Sequence, residues 1–288
     1  MLRRLAPLTI LAIGCAHAPW SLEHPEDLAR EGFPSPVLAA SIDGKPMRFL
    51  VNTGAGVHTL ARWAAKAAGL RPTRLTSTAT DSTGREMAID RAETVLGVEG
   101  RDVPVALIVV DFPPVFERLQ IAGLLSPQLL APPGLAAVLD ERAGTLTFDS
   151  LAAATGRTGA VPLPGARVCG QGSIKPNRLY AAPVRIGART VMLELDSGAT
   201  VTSLKRGSPA AAALEFREQG STMGVSGERV VTERATAEVA FGGMTRALGL
   251  QVVPGQPGGC EGDGLLGQDV LARCILVLRE TGLAAGCK

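Results

Sequence analysis

Residues 196–200 read Asp-Ser-Gly-Ala-Thr and follow directly on the apolar stretch Val191-Met192-Leu193-Glu194-Leu195. A stretch of this length and character predicts a strand, and the polar residues that follow predict a turn at its carboxyl end. The preceding residues 179–187 are equally strand-like and end in glycine. We therefore predict a hairpin whose second strand presents Asp196 at its tip.

The same pattern occurs about 140 residues earlier, which indicates an internal duplication. There, the strand-like residues 37–44 and 47–51 lead into Asn52-Thr53-Gly54-Ala55-Gly56. Two later landmarks match in the same order: Gly123-Leu124-Leu125-Ser126 with Gly264-Leu265-Leu266-Gly267, and residues 138–144 with residues 277–282. The ordered landmarks predict two lobes, residues 35–150 and 178–288, related by a pseudo-twofold axis.

Each predicted lobe also contains a second hairpin. The turn segments Asp81-Ser82-Thr83-Gly84 and Gly224-Val225-Ser226-Gly227-Glu228 are flanked by strand-like residues rich in threonine or valine. This arrangement is typical of a hairpin that folds over a site as a flap. We expect Asp81, Gly84, Ser226 and Gly227 at the two tips. Between the lobes, residues 151–177 are rich in alanine, glycine and proline and predict the inter-lobe linker.

Composition agrees with a fold made of strands. The 288 residues are 46% hydrophobic and 3% aromatic, and they include 34 glycines and 20 prolines. This is enough apolar material for a large core, and the abundant turn formers favour many short strands over long helices. We predict an all-β fold of two β-barrel lobes with a few short helices.

The amino terminus has the features of an export signal. Residues 1–14 begin with Met-Leu-Arg-Arg and continue as an apolar run up to Cys15, too short a run for a membrane span. We predict cleavage before Cys15 and lipid attachment there, because Pro19 disfavours the competing cut after Ala18. Residues 15–34 then form a tether, and the expected location is the cell envelope, facing the periplasm or the exterior. An ordinary secreted or periplasmic protein is the alternative.

Charge and cysteine content exclude several classes of function. Loss of the leader removes Arg3 and Arg4 from the 29 basic residues, so that basic side chains equal the 27 acidic ones. A neutral domain lacks the basic surface that binds nucleic acid. Three histidines and the absence of a Cys-x-x-Cys pattern argue against a metal site, and no cofactor is predicted. If Cys15 is lipidated, four cysteines remain for up to two disulfides, and three pairings stay open: Cys169, Cys260, Cys274 and Cys287.

Lobe two resembles the aspartic proteases of the pepsin and retropepsin type. Their signature is an apolar strand ending in Asp-Ser/Thr-Gly, then a flap hairpin, then two apolar residues and a glycine. Residues 195–202 and Leu265-Leu266-Gly267 match it closely, and lobe one is similar but degenerate. The resemblance implies two β-barrel lobes with a cleft between them, and a peptide or protein as ligand.

The resemblance also implies a site. Two carboxylates that share one proton would activate a water and protonate the substrate carbonyl. The positions of these carboxylates correspond to Asp196 in lobe two and Asn52 in lobe one. Supporting residues are implied in both loops: Thr53, Gly54, Ser197, Gly198 and Thr200.

Lobe one departs from the family pattern at three positions. Asn52 replaces the first acid, Gly56 lies where lobe two has Thr200, and Ser126 lies where lobe two has Gly267. An amide does not ionise and cannot act as base or proton store. We therefore expect impaired hydrolysis. With no charged neighbour across the lobes, we also expect the pKa of Asp196 to be close to that of an ordinary aspartate.

Three other motifs are interpreted as structural. Residues 262–267 fit the pattern Gly-x-Gly-x-x-Gly, but a Pro- and Gly-rich stretch precedes them where a nucleotide-binding fold needs a strand. His58 has no obvious partner and is interpreted as packed or solvated. Trp63 lies in the Ala-rich residues 60–69, which predict a short helix ending at Gly69.

Three functions are compatible with these features. The first is a membrane-anchored aspartic protease homologue that binds peptides between its lobes, with hydrolysis impaired by Asn52. The second is an active endopeptidase in which Asp196 is paired across a homodimer or helped by another acid. The third is an envelope scaffold without enzymatic activity.

Overall fold

The computed structural model describes residues 18–80, 85–170, 174–216, 218–224, 226–254 and 259–288. In the amino-terminal part the elements are β1 (Trp20–Ser21), α1 (Glu26–Arg30), β2 (Val37–Ile42), β3 (Lys45–Val51), β4 (His58–Ala61), α2 (Arg62–Ala68), β5 (Thr73–Thr80), β6 (Glu86–Val98), β7 (Arg101–Val110), α3 (Pro114–Arg118), β8 (Ile121–Leu125), α4 (Pro127–Leu130), β9 (Ala136–Asp140) and β10 (Thr145–Asp149). The connecting part contains α5 (Leu151–Thr158), β11 (Val161–Pro162) and β12 (Arg167–Cys169).

The carboxyl-terminal part repeats the order of the amino-terminal part. Its elements are β13 (Leu179–Ile186), β14 (Arg189–Leu195), β15 (Ser203–Lys205), a 3₁₀ turn (Ala211–Ala213), β16 (Glu218–Met223), β17 (Arg229–Phe241), β18 (Met244–Val253), β19 (Gly264–Leu266), α6 (Gln268–Leu271), β20 (Cys274–Arg279) and β21 (Gly282–Cys287). Strands dominate and the helices are short, which confirms the predicted all-β class.

The two lobes have the same sheet topology. The lobe-one sheet has the order β2-β3-β8-β4-β7-β6-β5, and the lobe-two sheet has the order β12-β13-β14-β19-β15-β18-β17-β16. An additional pairing, β2 with β6 in lobe one and β13 with β17 in lobe two, curls each sheet toward a barrel. The repeated order confirms the two pseudo-twofold-related lobes predicted from the duplication.

A third sheet joins the lobes. Its order is β1-β10-β9-β20-β21-β11, so the final strands of both lobes lie side by side in what we call the shared sheet. The central pair, β9 and β20, is antiparallel, with Val138 opposite Val277. The largest cluster of buried side chains is continuous across the lobes and includes Phe49, Leu193 and Leu276. Burial of this apolar surface is the main force holding the lobes together.

Parallel strand pairs place the loops of interest. β3 runs parallel to β8, with Val51 opposite Leu125, and β14 runs parallel to β19, with Leu195 opposite Leu266. A β-carbon on Gly123 would collide with the backbone of Thr59, where β8 pairs with β4. Gly264 meets the backbone of β15 in the same way. The first glycine of each Gly-Leu-Leu motif is therefore required by a close backbone approach.

The structure also describes the helix around Trp63, the inter-lobe residues and the pairing of four cysteines. The predicted helix is α2, and Gly69 ends it with a left-handed φ of 78°. The inter-lobe residues contain α5, one strand of the shared sheet and one strand of lobe two. Disulfides join Cys169 to Cys260 and Cys274 to Cys287. This is one of the three pairings that the sequence left open.

Candidate active site

Asn52 and Asp196 occupy equivalent positions, each directly after the strand that the sequence predicted. The backbone N–H of Asn52 donates to the carbonyl of Leu125 at 2.9 Å, and that of Asp196 donates to the carbonyl of Leu266 at 3.0 Å. Each loop is thereby fixed to the end of the neighbouring parallel strand. The two loops meet where the lobes join.

Reciprocal hydrogen bonds lock the two loops together. The Thr53 hydroxyl accepts from the Ser197 N–H at 3.0 Å and donates to the Leu195 carbonyl at 2.9 Å. The Ser197 hydroxyl accepts from the Thr53 N–H at 3.0 Å and donates to the Val51 carbonyl at 3.0 Å. Both side chains are fully buried. Four bonds between lobes, made by buried groups that water cannot satisfy, fix the relative position of residues 52 and 196.

Asn52 and Asp196 are direct neighbours. The Asn52 Oδ1 accepts the N–H groups of Gly54 and Ala55 at 2.7 and 3.1 Å, and the Asp196 Oδ1 accepts the Gly198 N–H at 2.8 Å. A β-carbon on Gly54 would collide with the Asp196 carboxylate, and one on Gly198 would collide with the Asn52 amide nitrogen. The glycine of each loop is therefore what allows the opposite side chain to approach.

The Asn52 amide donates a hydrogen bond to Asp196. Its oxygen already accepts two backbone N–H groups, so Nδ2 is the donor. This bond favours the ionised carboxylate, as do the Gly198 and Ala199 N–H groups. Burial opposes them and raises the pKa of Asp196 above its ordinary value. Our expectation of an ordinary pKa for Asp196 is therefore wrong, because it considered only the missing second charge and ignored desolvation.

A family model for aspartyl proteases matches residues 38–126 and matches again at residues 182–270. The chain belongs to the aspartyl protease family. Each match covers one lobe from the hairpin before the Asn52 or Asp196 loop to the residues after the Gly-Leu-Leu motif. No curated protein is a significant match to the chain. The resemblance drawn from the sequence is thus confirmed for both lobes.

The aspartyl protease motif is supported differently in the two lobes. In lobe two, Asp269 accepts the Thr202 N–H at 3.0 Å and the Thr202 hydroxyl at 2.7 Å, and that hydroxyl accepts the Gly267 N–H at 3.2 Å. In lobe one, His58 replaces Thr202, and its Nδ1 accepts the Ser126 N–H at 3.1 Å. His58 is therefore buried and bonded, and burial lowers its pKa to about 4.

A further departure of lobe one, Gly56, has a structural explanation. Gly56 leaves space for Asn177, whose side chain would collide with a β-carbon at that position. Its counterpart Thr200 is exposed and donates its hydroxyl to the Gly32 carbonyl at 2.8 Å, on the segment that precedes β2. The Thr200 hydroxyl thus bonds to the segment before β2 and not to Asp196. The supporting role that the family resemblance gives Thr200 stays a prediction.

The hairpins that the sequence predicted as flaps are the β5–β6 and β16–β17 pairs. Asp81 and Gly84 lie outside the described residues. In lobe two, the Glu228 N–H donates to the Ser226 hydroxyl at 3.3 Å, and Gly227 has a left-handed φ of 84°. The Arg85 guanidinium donates to the Glu228 carboxylate at 2.9 Å, so an ion pair connects the hairpins of the two lobes.

Two buried carboxyl groups near the loops were not predicted from the sequence. Glu194 lies two residues before Asp196 on β14, and its Oε2 accepts the Cys260 N–H at 2.8 Å. Burial and, to a smaller extent, the Asp196 charge raise its pKa to about 8.

The second group is Glu141, which accepts a hydrogen bond from the Gln268 amide. The same amide donates to the Ser197 carbonyl, and burial raises the pKa of Glu141 to about 7. An acid within an apolar strand was the available signal for Glu194; nothing in the sequence marked Glu141.

Metal ligands and membrane-spanning helices were sought in the part of the chain that the structure describes. Within the residues that the structure describes, no group of three or more histidine, cysteine or acidic side chains gathers as a metal site would require. In the same part of the chain, no helix combines the length and apolar character needed to span a membrane. Cys15, the predicted lipidation site, is outside the described residues.

Proposed function

We propose that this aspartyl protease family member binds peptide segments between its two lobes and hydrolyses them poorly or not at all. The observation that carries the proposal is the Asn52 amide, which donates to Asp196 from the position of the first catalytic acid. Aspartic protease chemistry needs one carboxylate as base and one carboxylic acid as proton donor. Asn52 supplies neither, because an amide holds the same protons over the whole range of working pH.

Peptide binding is supported by features other than the acid pair. Thr53 and Ser197 join the two loops by hydrogen bonds, and Arg85 and Glu228 connect the β5–β6 and β16–β17 hairpins. An extended peptide held beneath paired hairpins gains backbone hydrogen bonds from strand edges. None of these contacts depends on an acid at position 52, so binding can persist where catalysis is lost.

Hydrogen exchange in the presence of a mixed library of short peptides tests peptide binding. We expect slower exchange in the β5–β6 and β16–β17 hairpins and in residues 196–200, because these would lie against the bound peptide. The β9–β10 pair of the shared sheet is the internal control and should not change. No protection at either hairpin, or protection only in the shared sheet, would contradict peptide binding.

We propose further that the protein is exported and anchored through lipid on Cys15. The supporting features are the charged and apolar leader, the position of Pro19 and two disulfides, which form and persist in oxidising compartments. Mass spectrometry of the mature chain should show a lipid-modified Cys15 as its first residue. Cys15→Ala should give unprocessed or soluble protein. An unmodified Cys15 in the mature chain would refute the anchor.

A further inference from the structure

The segment before lobe two crosses onto lobe one beside the Asn52 loop. We call residues 174–178 the strap. The strap leads into β13, whose partner in the hairpin is β12, with Cys169 opposite Leu179. At the end of the strap, the Arg178 N–H donates to the Gly56 carbonyl at 3.0 Å. Gly56 is four residues after Asn52, so the strap contacts the loop that carries the degenerate position.

Arg178 holds the strap in place through several further bonds. Its carbonyl accepts the Gln128 side-chain amide at 2.7 Å, and its guanidinium donates to the Gln128 carbonyl at 3.0 Å. The guanidinium also donates to the Glu280 carboxylate at 2.9 Å. Gln128 itself is buried and donates to the carbonyls of Thr53 and Ala55. One amide side chain thus connects the strap directly to the Asn52 loop.

Asn177 explains why lobe one has glycine at position 56. A β-carbon there would collide with the Asn177 side chain and would lie 3.3 Å from Leu179 Cγ. Lobe two has Thr200 at the equivalent position, where a hydroxyl is accommodated. The absence of a side chain at position 56 therefore leaves the space that Asn177 of the strap occupies.

Ile174 places an apolar side chain under the flap hairpin of lobe one. It packs against a cluster whose buried members are Ile89, Ile108 and Val110, and whose partly buried members include Val57, Leu75, Ala79 and Phe112. Val57 directly follows Gly56, and Leu75 and Ala79 belong to the first strand of the hairpin. The cluster therefore joins the residue after Gly56 to the first strand of the hairpin, and Ile174 of the strap packs against it.

We propose that the strap determines ligand specificity: Ile174 occupies the apolar surface beneath the lobe-one hairpin and excludes bulky apolar peptide side chains from that side of the site. This inference rests on the proposed binding of peptides between the lobes. It adds that bulky apolar peptide side chains are excluded on one side of the site, and that Ile174 excludes them.

The test uses hexapeptides that differ only in a central Ala, Leu or Phe. Wild type should prefer the Ala peptide. Ile174→Ala should raise the affinity for the Phe peptide by about tenfold, and change the affinity for the Ala peptide less than twofold, because only the larger side chain needs the vacated space. Val161→Ala is the matched control, since Val161 is in the same inter-lobe segment and is 63% exposed.

A second variant tests the contact itself without a peptide. In wild type, the Arg178 amide should exchange slowly, because it is bonded to Gly56. Gly56→Thr should displace the Asn177 side chain and speed exchange at Arg178, with the rest of lobe one unchanged. Rapid exchange of the Arg178 amide in wild type would contradict the contact between the strap and Gly56.

The two proposals fail in different ways. If peptides bind wild type and Ile174→Ala leaves the preference unchanged, the specificity role is overturned and peptide binding stands. If no peptide binds wild type or either variant, peptide binding fails and the strap has nothing to select. If even the Ala peptide binds Ile174→Ala and not wild type, the strap blocks the site as a whole, and selection by the size of the peptide side chain is overturned.

Discussion

Asn52→Asp should raise peptide hydrolysis by about 10²–10⁴-fold, the usual contribution of one general acid or base. The new carboxylate would lie against Asp196, where the Asn52 amide now donates its hydrogen bond. Two carboxylates at this separation cannot both ionise easily, so they would share a proton. The pair would then provide the acid and the base that the natural chain lacks. Activity should peak in the acidic range, where one proton is held between them.

The structure predicts that this substitution is tolerated. Oδ1 of the new side chain can accept the Gly54 and Ala55 N–H groups as the Asn52 oxygen does. The matched control is the double variant Asn52→Asp with Asp196→Asn, which restores one acid and one amide with their positions exchanged. It should be as inactive as wild type. A folded Asn52→Asp variant that shows no gain at any pH would contradict the assignment of residue 52 as the missing acid.

Removing the carboxyl of Glu194 should change the pH dependence of stability. Because burial raises the folded-state pKa of Glu194 to about 8 from an ordinary value of 4.5, its contribution to stability is fully present below pH 4.5. That contribution is lost as the pH rises through 8, since the folded state must then hold a buried charge. The shift corresponds to a loss on the order of 4 kcal/mol over this interval. Wild type should therefore lose stability relative to Glu194→Gln between pH 5 and pH 8.

Chemical denaturation of both proteins at pH 5 and pH 8 measures this effect. Glutamine can still accept the Cys260 N–H, so the comparison isolates the ionisable proton. Glu218→Gln is a suitable control, because Glu218 is exposed on β16. A stability difference between wild type and Glu194→Gln that does not change with pH would show that Glu194 is solvated in the folded protein.

The fold could be predicted because it is encoded in local patterns that occur twice. Apolar strands ending in a polar turn predicted the loops of Asn52 and Asp196. The Gly-Leu-Leu motifs, which occur once in each copy in the same order, supported the duplication and the family resemblance. Local sequence is sufficient for such features, because a strand and the turn that follows it are specified by neighbouring residues.

Features that depend on contacts between distant residues could not be predicted. The raised pKa of Asp196 results from burial that only the folded lobes create. The fit of Asn177 against Gly56 joins residues 121 positions apart and could not be inferred from either loop alone. Glu141 is buried and accepts a hydrogen bond from Gln268 of the other lobe. In each case the environment of a side chain is created by residues that are distant in the sequence and share no pattern with it.

Incubation of wild type and Asp196→Asn with a mixed peptide library, across acidic to neutral pH, is the most direct test of the central claim. The claim is that Asn52 leaves the site without one of its two acids. We predict that wild type yields no more cleavage products than Asp196→Asn, as measured by mass spectrometry of the library. Robust cleavage by wild type that disappears in Asp196→Asn would contradict the account, and would show that Asp196 acts with a second acid from a partner copy or elsewhere in the chain.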